Sequence, residues 1–145
     1  MRKLTLVAAA MAALASAPAM AAGEARVEAR GGLAWAAGSE DFVAGLAAGY
    51  DFDLGGAFVG PEVSYDTNFD GVDAVNLGAR IGAKLGNGKL YAIAAYDVGD
   101  IDEFNLGAGY QHNFGEKFYG KIEYRRYLLN GTDLNVGQVG VGIKF

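Results

Sequence analysis

The sequence has no cysteine, one histidine, two prolines and one tryptophan among its 145 residues. Without cysteine the chain can form no disulfide, thiolate-ligated zinc site, iron–sulfur cluster or thiol nucleophile. The single histidine, His112, excludes a metal site made of several histidines. The 17 acidic residues outnumber the 12 basic ones, whereas nucleic-acid binding needs an excess of lysine and arginine. We therefore expect no cofactor and no nucleic-acid partner.

The first residues have the composition of a secretory signal peptide. Two basic residues at the start precede an apolar run, and small residues at Ala19 and Ala21 suit a signal-peptidase site. The apolar run is shorter than the roughly 20 residues that a membrane-spanning helix needs. We predict a signal peptide over residues 1–21, cleavage near Ala21/Ala22 and a mature domain over residues 22–145.

Beyond this segment, apolar and polar residues alternate with the period of two that gives a β-strand two unlike faces. Between residues 75 and 85, apolar side chains occupy every odd position, while Asn, Gly, Arg, Gly and Lys occupy the even ones. The fifth segment is apolar on both faces, so its orientation stays open. Eight such segments are recognisable, at about residues 25–37, 42–53, 57–65, 75–85, 89–97, 104–114, 118–125 and 138–145.

Tight glycine-containing turns alternate along the chain with longer polar segments. This alternation is typical of transmembrane β-barrels, which have short periplasmic turns and longer external loops. Eight spans of about 10 residues fit within the mature domain. We predict an all-β fold: an eight-stranded antiparallel up-and-down transmembrane β-barrel with both termini in the periplasm. The turns are 55–56, 86–88 and 115–117, and the longer segments are 39–41, 66–73, 98–103 and 128–133.

Two irregularities interrupt the strand pattern. Pro61 falls inside the third segment, where a closed barrel offers no free edge for a missing N–H group, so we expect a β-bulge there. Near the start of the eighth segment the apolar residues change face: Leu134 and Val136 occupy even positions, whereas Val139 occupies an odd position. Either a bulge lies near Gly137, or the last membrane strand begins after it.

The distribution of charge decides between a membrane barrel and a soluble lipocalin-like barrel, whose strands also alternate. Here the apolar face has aromatic residues towards both strand ends, as expected at two membrane interfaces. The expected girdles are Trp35, Phe42, Tyr65, Phe104 and Tyr124, and Phe52, Tyr110, Phe114, Phe118 and Phe145. We predict that the opposite face encloses a side-chain-filled polar lumen whose charges pair with one another. This lumen charge network is Arg26, Glu28, Arg30, Asp51, Glu62, Arg80, Lys84, Lys121, Glu123 and Arg125.

The last strand resembles the C-terminal signal by which the barrel-assembly machinery recognises outer-membrane proteins. Its apolar residues alternate up to the last position, at Val139, Val141, Ile143 and Phe145. Together with the stretches VGPEVSYD at 59–66 and NLGAGY at 105–110, it makes the mature chain resemble a known family. That family is the small opacity-protein-like outer-membrane barrels of Gram-negative bacteria, of the OmpA/OmpX eight-stranded type.

We expect a non-enzymatic, monomeric protein of the cell outer membrane, surrounded by lipid and lipopolysaccharide. The resemblance implies the barrel-assembly machinery as a partner during biogenesis. It also implies a structural or adhesin-like role, with a surface partner that the motifs do not identify. The external segments are shorter here than in the well-known adhesins, which puts binding to one specific receptor in doubt.

The hydroxyl residues and the single histidine decide whether an enzymatic function is expected. A lipid A-modifying hydrolase would need a hydroxyl nucleophile beside a base. His112 is predicted on the lipid face near the periplasmic end, far from Ser39 and Ser64, so we expect no enzyme.

A small ion or solute pore is an alternative, although eight strands leave an interior only just wide enough for side chains. A lipid A-modifying enzyme and a soluble lipocalin-like carrier are the remaining alternatives.

The predicted external loops and their margins are rich in carboxylates. A cation site for Ca²⁺ or Mg²⁺ is one interpretation, because both ions bind oxygen ligands, but the spacing is not that of an EF-hand. The other interpretation is a solvated acidic rim. The densest group is Asp97, Asp100, Asp102 and Glu103, and further acids are Glu40, Asp41, Asp66, Asp70, Asp73 and Asp133.

Overall fold

The computed structural model describes residues 23–145, together with Thr5 and Ala9. Apart from Thr5 and Ala9, the predicted signal peptide lies outside the described residues, and so does its cleavage site. No helix in the described part of the chain is long and apolar enough to cross a membrane. The strands are Gly23–Ala36 (β1), Ser39–Asp53 (β2), Ala57–Thr67 (β3), Asp73–Leu85 (β4), Gly88–Asp97 (β5), Phe104–Phe114 (β6), Phe118–Tyr127 (β7) and Leu134–Lys144 (β8).

The eight strands form one closed barrel in sequence order, as predicted. Each strand pairs antiparallel with the next, and β8 returns to pair with β1 from Arg26↔Lys144 to Trp35↔Asn135. Beyond this ladder, Ala25 and Phe145 exchange two backbone hydrogen bonds of 2.9 Å. Closure leaves no strand with an unpaired edge, which is the condition for placing a sheet in a lipid bilayer.

The two ends of the barrel differ in their connections. One end, here the terminal end, holds both termini and the short turns 54–56, 86–87 and 115–117. The other, here the loop end, holds the connections 37–38, 68–72, 98–103 and 128–133. The first of these is shorter than predicted, because residues 39–41 belong to β2. Ala37 and Gly38 both have positive φ, 40° and 87°, as a two-residue hairpin turn requires.

The predicted bulges do not form. The β2–β3 register passes from Gly49↔Glu62 to Phe52↔Val59 without a shift, so Pro61 interrupts the pairing but inserts no extra residue. Strand β8 is likewise continuous from Leu134, with Val136 opposite Ala34. Val136 faces inward because the loop end of the lumen is apolar, where it packs against Ala34, Val43 and Tyr127.

The orientation of β5, which the sequence left open, follows from burial. Lys89, Tyr91 and Ile93 are buried in the lumen, whereas Leu90 is exposed on the outside. The strand is apolar on both faces because Tyr91 and Ile93 pack with Phe58 in a small apolar cluster inside the barrel. This cluster is one of two apolar regions in an otherwise polar lumen.

The outside of the barrel is apolar and exposed, and its interior is charged. This is the opposite of a soluble lipocalin-like barrel, so that alternative is wrong. Aromatic side chains lie at both ends of the outer face, including the pairs Trp35–Tyr124 and Tyr96–Phe104 towards the loop end. Apolar residues exposed between the girdles are Leu33, Leu46, Leu77, Ile81, Leu106, Ile122, Val139 and Val141.

Candidate functional site: the charged lumen

The predicted lumen residues all lie on the inner face of the barrel. Nine of the ten are buried; Arg80 and Arg26 are 0% and 1% exposed. Lys84 is the exception, because it lies at the terminal end, where its side chain is 32% exposed and its Nζ lies 2.5 Å from Asp53. The charged site therefore runs through the middle of the barrel, away from solvent.

The first salt bridge of the network crosses a strand at a glycine. Arg26 of β1 is opposite Gly49 of β2, and Gly49 is opposite Glu62 of β3. Arg26 Nη2 lies 2.7 Å from Glu62 Oε2. A Cβ atom added to Gly49 would lie 2.5 Å from Arg26 Nη2. The guanidinium thus occupies the space that a side chain at Gly49 would fill.

A second arginine uses the same arrangement four residues further along β1. Arg30 is opposite Gly45, which is opposite Asp66. Arg30 donates to both oxygens of Asp66, at 2.8 and 2.5 Å. Asp66 was predicted among the external acids, but it is the inward-facing penultimate residue of β3 and belongs to the lumen network.

Two tyrosine side chains also pass over a glycine of the strand that separates them from their partners. Tyr119 of β7 donates to Glu28 of β1 over 2.7 Å, and a Cβ on Gly142 of β8 would lie 2.4 Å from the Tyr119 ring. Tyr91 of β5 donates to Glu123 of β7 over 2.6 Å, with Gly109 of β6 between them. Inward glycines therefore let long side chains reach acids two strands away.

Two glutamates join these bridges into one network. Arg125 donates from Nη2 to Glu62 and from Nε to Glu123, both at 2.5 Å. Lys121 Nζ lies 2.9 Å from Glu123 Oε2 and also forms a close ion pair with Glu28. Because each ion has several counter-ions, the high free-energy cost of removing charge from water is offset by paired charge and hydrogen bonds.

The buried charges nearly balance. In the described part of the chain, seven buried cations face six buried anions. The cations are Arg26, Arg30, Arg80, Lys89, Lys121, Arg125 and Lys144, and the anions are Glu28, Asp51, Glu62, Asp66, Asp97 and Glu123. The half-exposed Glu24 supplies a further negative charge at the terminal end, where it pairs with Lys89 and Lys144 at 2.8 and 3.2 Å.

Several lumen residues were not predicted. Lys89 was missed because the orientation of β5 was open, although it lies 3.0 Å from Asp51. Polar side chains further along the lumen also form hydrogen bonds, such as Asn105 to Asn76 at 2.7 Å. The alternation within each strand carries a signal for these amides, since Asn76 and Asn105 occupy inward-facing positions of β4 and β6.

Two of the four carboxylates proposed as a cation site, Asp97 and Asp100, accept backbone hydrogen bonds at the loop end. Asp97 is buried and accepts backbone N–H bonds from Val75, Ile101 and Asp102, at 2.5, 2.9 and 2.9 Å. Asp100 accepts from the backbone of Asp73 at 2.9 Å. Within residues 23–145, no group of three or more Asp, Glu or His side chains is arranged to hold a metal ion. Cation binding by Asp97, Asp100, Asp102 and Glu103 stays a prediction.

The network separates two cavities at the ends of the lumen. The loop-end cavity, of about 220 Å³, is lined by residues that include Val136, Tyr127 and Arg125. The terminal-end cavity, of about 250 Å³, is lined by residues that include Lys89 and Asp51. The two linings share no residue. The layer between them contains Arg26, Arg30, Glu28, Glu62, Lys121 and Glu123, which line neither cavity.

The residues of the proposed C-terminal assembly signal all lie on the outer face of β8 and just after it. Val139, Val141, Ile143 and Phe145 are exposed, which leaves their side chains free for another molecule or for lipid. Their role as a signal stays a prediction.

A closed barrel with an apolar exterior, aromatic girdles and a charged interior defines a transmembrane β-barrel. The family model of the outer membrane protein beta-barrel domain matches residues 7–145, and the chain belongs to this family. Its location is accordingly the outer membrane. No curated protein matches the sequence.

Solved structures share the fold at low sequence identity. Ail, the attachment invasion locus protein of Yersinia pestis, matches with a TM-score of 0.64 and 13% identity, over 87% of this chain and 100% of that one. The N-terminal β-barrel domain of Pseudomonas aeruginosa OprF matches with 0.60 and 18%, over 84% and 97%. The de novo designed TMB2.3 matches with 0.61 and 17%, over 87% and 97%. These similarities concern the fold, which by itself does not specify a function.

Proposed function

We propose that this chain is a non-enzymatic outer-membrane barrel, closed to solutes, with a structural or surface-interaction role exerted through its loop end. The signal peptide is cleaved near Ala21/Ala22, both termini lie in the periplasm and the barrel is a monomer. The observation that carries the proposal is the continuous layer of paired charges between the two end cavities. A barrel filled in this way can hold its shape and present loops, but it offers no path for a solute.

The positions of the hydroxyl groups support a non-enzymatic role. Ser64 is buried in the lumen, where its hydroxyl lies 3.3 Å from Asp66. His112 lies on the outer face near the terminal end, between Tyr110 and Phe114. The histidine is therefore outside the barrel wall that encloses the serine, and the two cannot form a nucleophile–base pair.

The loop end supplies a surface for a partner. Phe69, Val72 and Leu128 are exposed on its connections. The surrounding side chains are acidic, and Arg126 is already paired with Asp133. Ail has been solved with the heparin analogue sucrose octasulfate, but an acidic loop end repels such a polyanion, so we propose no equivalent ligand here. The partner that fits this end is an uncharged or basic surface.

Conductance in planar lipid bilayers tests whether the lumen is closed. We expect the wild-type barrel to give no discrete current steps, in a bilayer where a 16-stranded porin gives large ones. Discrete steps from the purified wild-type barrel would support the small-pore alternative instead. A lipid A-modifying enzyme would change the mass of lipid A in cells that overproduce the chain, and we expect that mass to stay unchanged.

A deletion strain separates the structural role from the surface role. The strain is complemented with wild type or with the loop variant Phe69→Ser/Val72→Ser, and its sensitivity to detergent and its binding to surfaces are measured. If both proteins restore detergent resistance, the barrel itself has the structural role. If only the wild type restores surface binding, the loops have the interaction role. If deletion changes neither property, the proposed function is wrong.

A further inference from the structure

The loop-end cavity has apolar walls and a polar floor. Its walls include Ala34, Val43, Val72 and Leu134, and it is partly open to solvent. Arg125 and Gln138 form part of the floor and are 2% and 5% exposed. A cavity of this kind, with apolar walls and a few convergent polar groups, is the usual form of a small-molecule site.

Two residues of the floor each have one buried side-chain atom without a hydrogen-bond partner. Arg125 uses Nε and Nη2 on Glu123 and Glu62, while its buried Nη1 has no hydrogen-bond partner within the described residues. Gln138 donates from Nε2 to Asp66 over 3.1 Å. That bond sets the orientation of the amide, so the buried, unpartnered Oε1 is an acceptor. Of the described residues with buried unpartnered side-chain atoms, only these two line the cavity.

The register places the two side chains next to each other. Glu123 is opposite Gln138 and Arg125 is opposite Val136, so Arg125 and Gln138 are diagonal neighbours on the inner face of an antiparallel pair. Two side chains placed in this way can both contact one chemical group of a bound molecule. Together they present one free donor and one free acceptor, which is the complement of a hydroxyl group.

We propose that the loop-end cavity binds a small uncharged molecule that combines an apolar ring with one hydroxyl group. The hydroxyl oxygen accepts from Arg125 Nη1, the hydroxyl proton is donated to Gln138 Oε1, and the ring lies against the apolar walls. Asp41 and Asp66 in the lining disfavour an anion, and Arg125 disfavours a cation. A cavity of about 150 Å³ holds benzene, so about 220 Å³ holds a ring with one further substituent.

A matched pair of probes tests this site on the whole barrel in lipid nanodiscs. p-Cresol and p-xylene have the same shape, but only p-cresol carries the hydroxyl. Amide chemical shifts of Tyr127 and Val136 report on the cavity, and those of Leu46 and Ile81 report on partition into lipid. We expect saturable shifts at the cavity residues with p-cresol and roughly tenfold weaker binding of p-xylene. Equal affinities would overturn hydroxyl recognition, and shifts confined to the outer face would overturn the site.

Two variants assign the interaction to its residues. Ala34→Phe fills the cavity and is expected to abolish the saturable shifts with both probes. Gln138→Met removes the acceptor at similar length, so it is expected to remove the preference for p-cresol while p-xylene still binds. Persistent p-cresol shifts in Ala34→Phe would contradict the assignment. Folding of each variant is checked by heat-modifiable gel mobility, and the wild-type probe comparison decides the proposal even if a variant does not fold.

Discussion

Arg80 of β4 forms a bidentate salt bridge with Asp51 of β2 across the intervening strand β3. Arg80 Nε and Nη2 lie 2.9 and 2.5 Å from the two carboxylate oxygens. Gly60 is opposite Arg80, and a Cβ atom added to it would lie 1.6 Å from the Tyr50 backbone oxygen and 3.0 Å from the Asp51 Cα. Glycines in strand interiors usually weaken a sheet. Here Gly60 allows the backbones of β2 and β3 to approach closely, and Gly49 leaves the space in which Arg26 reaches Glu62.

The Arg80–Asp51 bridge leads to a prediction about stability. Arg80→Ala leaves Asp51 buried with Lys89 as its nearest remaining cation, at 3.0 Å. Removing one partner of a buried pair costs roughly 3–5 kcal/mol, and we expect the lower part of that range because Lys89 remains. The urea midpoint of the barrel folded in lipid vesicles measures the loss.

Arg126→Ala is the matched control for this substitution. Arg126 pairs with Asp133, and both side chains are exposed. Exposed pairs contribute about 0–1 kcal/mol, so the midpoint should hardly move. Equal effects of Arg80→Ala and Arg126→Ala would contradict a stabilising role for the lumen network.

A second prediction concerns the space at an inward glycine. In Gly45→Ala the new Cβ would lie 2.3 Å from the backbone oxygen of Tyr65 and 2.3 Å from Asp66 Oδ1. Overpacking of this kind costs roughly 1–3 kcal/mol, and here it also displaces the partner of Arg30. We expect a lower urea midpoint for Gly45→Ala.

Gly56→Ala serves as the comparison, because its added Cβ meets nothing within 4 Å. Alanine at such an open position should leave stability unchanged or raise it slightly, since it restricts the unfolded chain. A Gly45→Ala barrel as stable as the Gly56→Ala barrel would show that the inward glycines are not needed for the bridges.

The third prediction tests which surface faces lipid. Leu46 lies on β2 between the girdle residues Phe42 and Phe52, and Leu128 lies on a loop-end connection; they are 47% and 46% exposed. An arginine near the bilayer midplane costs about 2–4 kcal/mol, and one near the interface costs about 0–1 kcal/mol. We therefore expect Leu46→Arg to lower the unfolding free energy and Leu128→Arg to leave it nearly unchanged. The same loss in both would mean that exposure alone sets the effect.

The fourth prediction separates assembly from stability. Phe145 and Phe114 are both outward-facing near the terminal end, and they are 58% and 63% exposed. Similar exposure predicts similar stability for Phe145→Ala and Phe114→Ala in refolding experiments. If the barrel-assembly machinery recognises Phe145, only Phe145→Ala should reduce the amount of barrel in the outer membrane of living cells. Equal amounts of the two variants would rule out that role.

The alternation of side chains predicted the fold and most of the lumen. In β4, for example, the even positions Asn76 and Arg80 are buried and the odd positions Leu77 and Ile81 are exposed. The same rule failed in β5, where apolar residues lie on both faces because Tyr91 and Ile93 join Phe58 inside the barrel. It also misplaced the start of β8, because Val136 belongs to an apolar region at the loop end of the lumen.

The pairing of the lumen charges could not be predicted in this way. A strand pattern states that Arg26 and Glu62 share the inner face, but it contains no information on the register that puts Gly49 between them. Asp66 illustrates the same limit, since its position near a polar loop suggested solvent, whereas Arg30 holds it inside. The loop-end cavity is lined by residues of six strands, and no single strand carries a signal for it.

The amino-acid pattern alone is sufficient to predict a barrel with an apolar exterior and a charged interior. A period of two assigns each side chain to one of two faces, whatever its partners are. Which charges meet depends on the three-dimensional arrangement of the strands. Pairing of β1, β2 and β3 brings together residues 36 positions apart in Arg26–Glu62, and barrel closure brings together residues 91 apart in Tyr119–Glu28. Those contacts arise from strand register, and register is a property of pairs of strands.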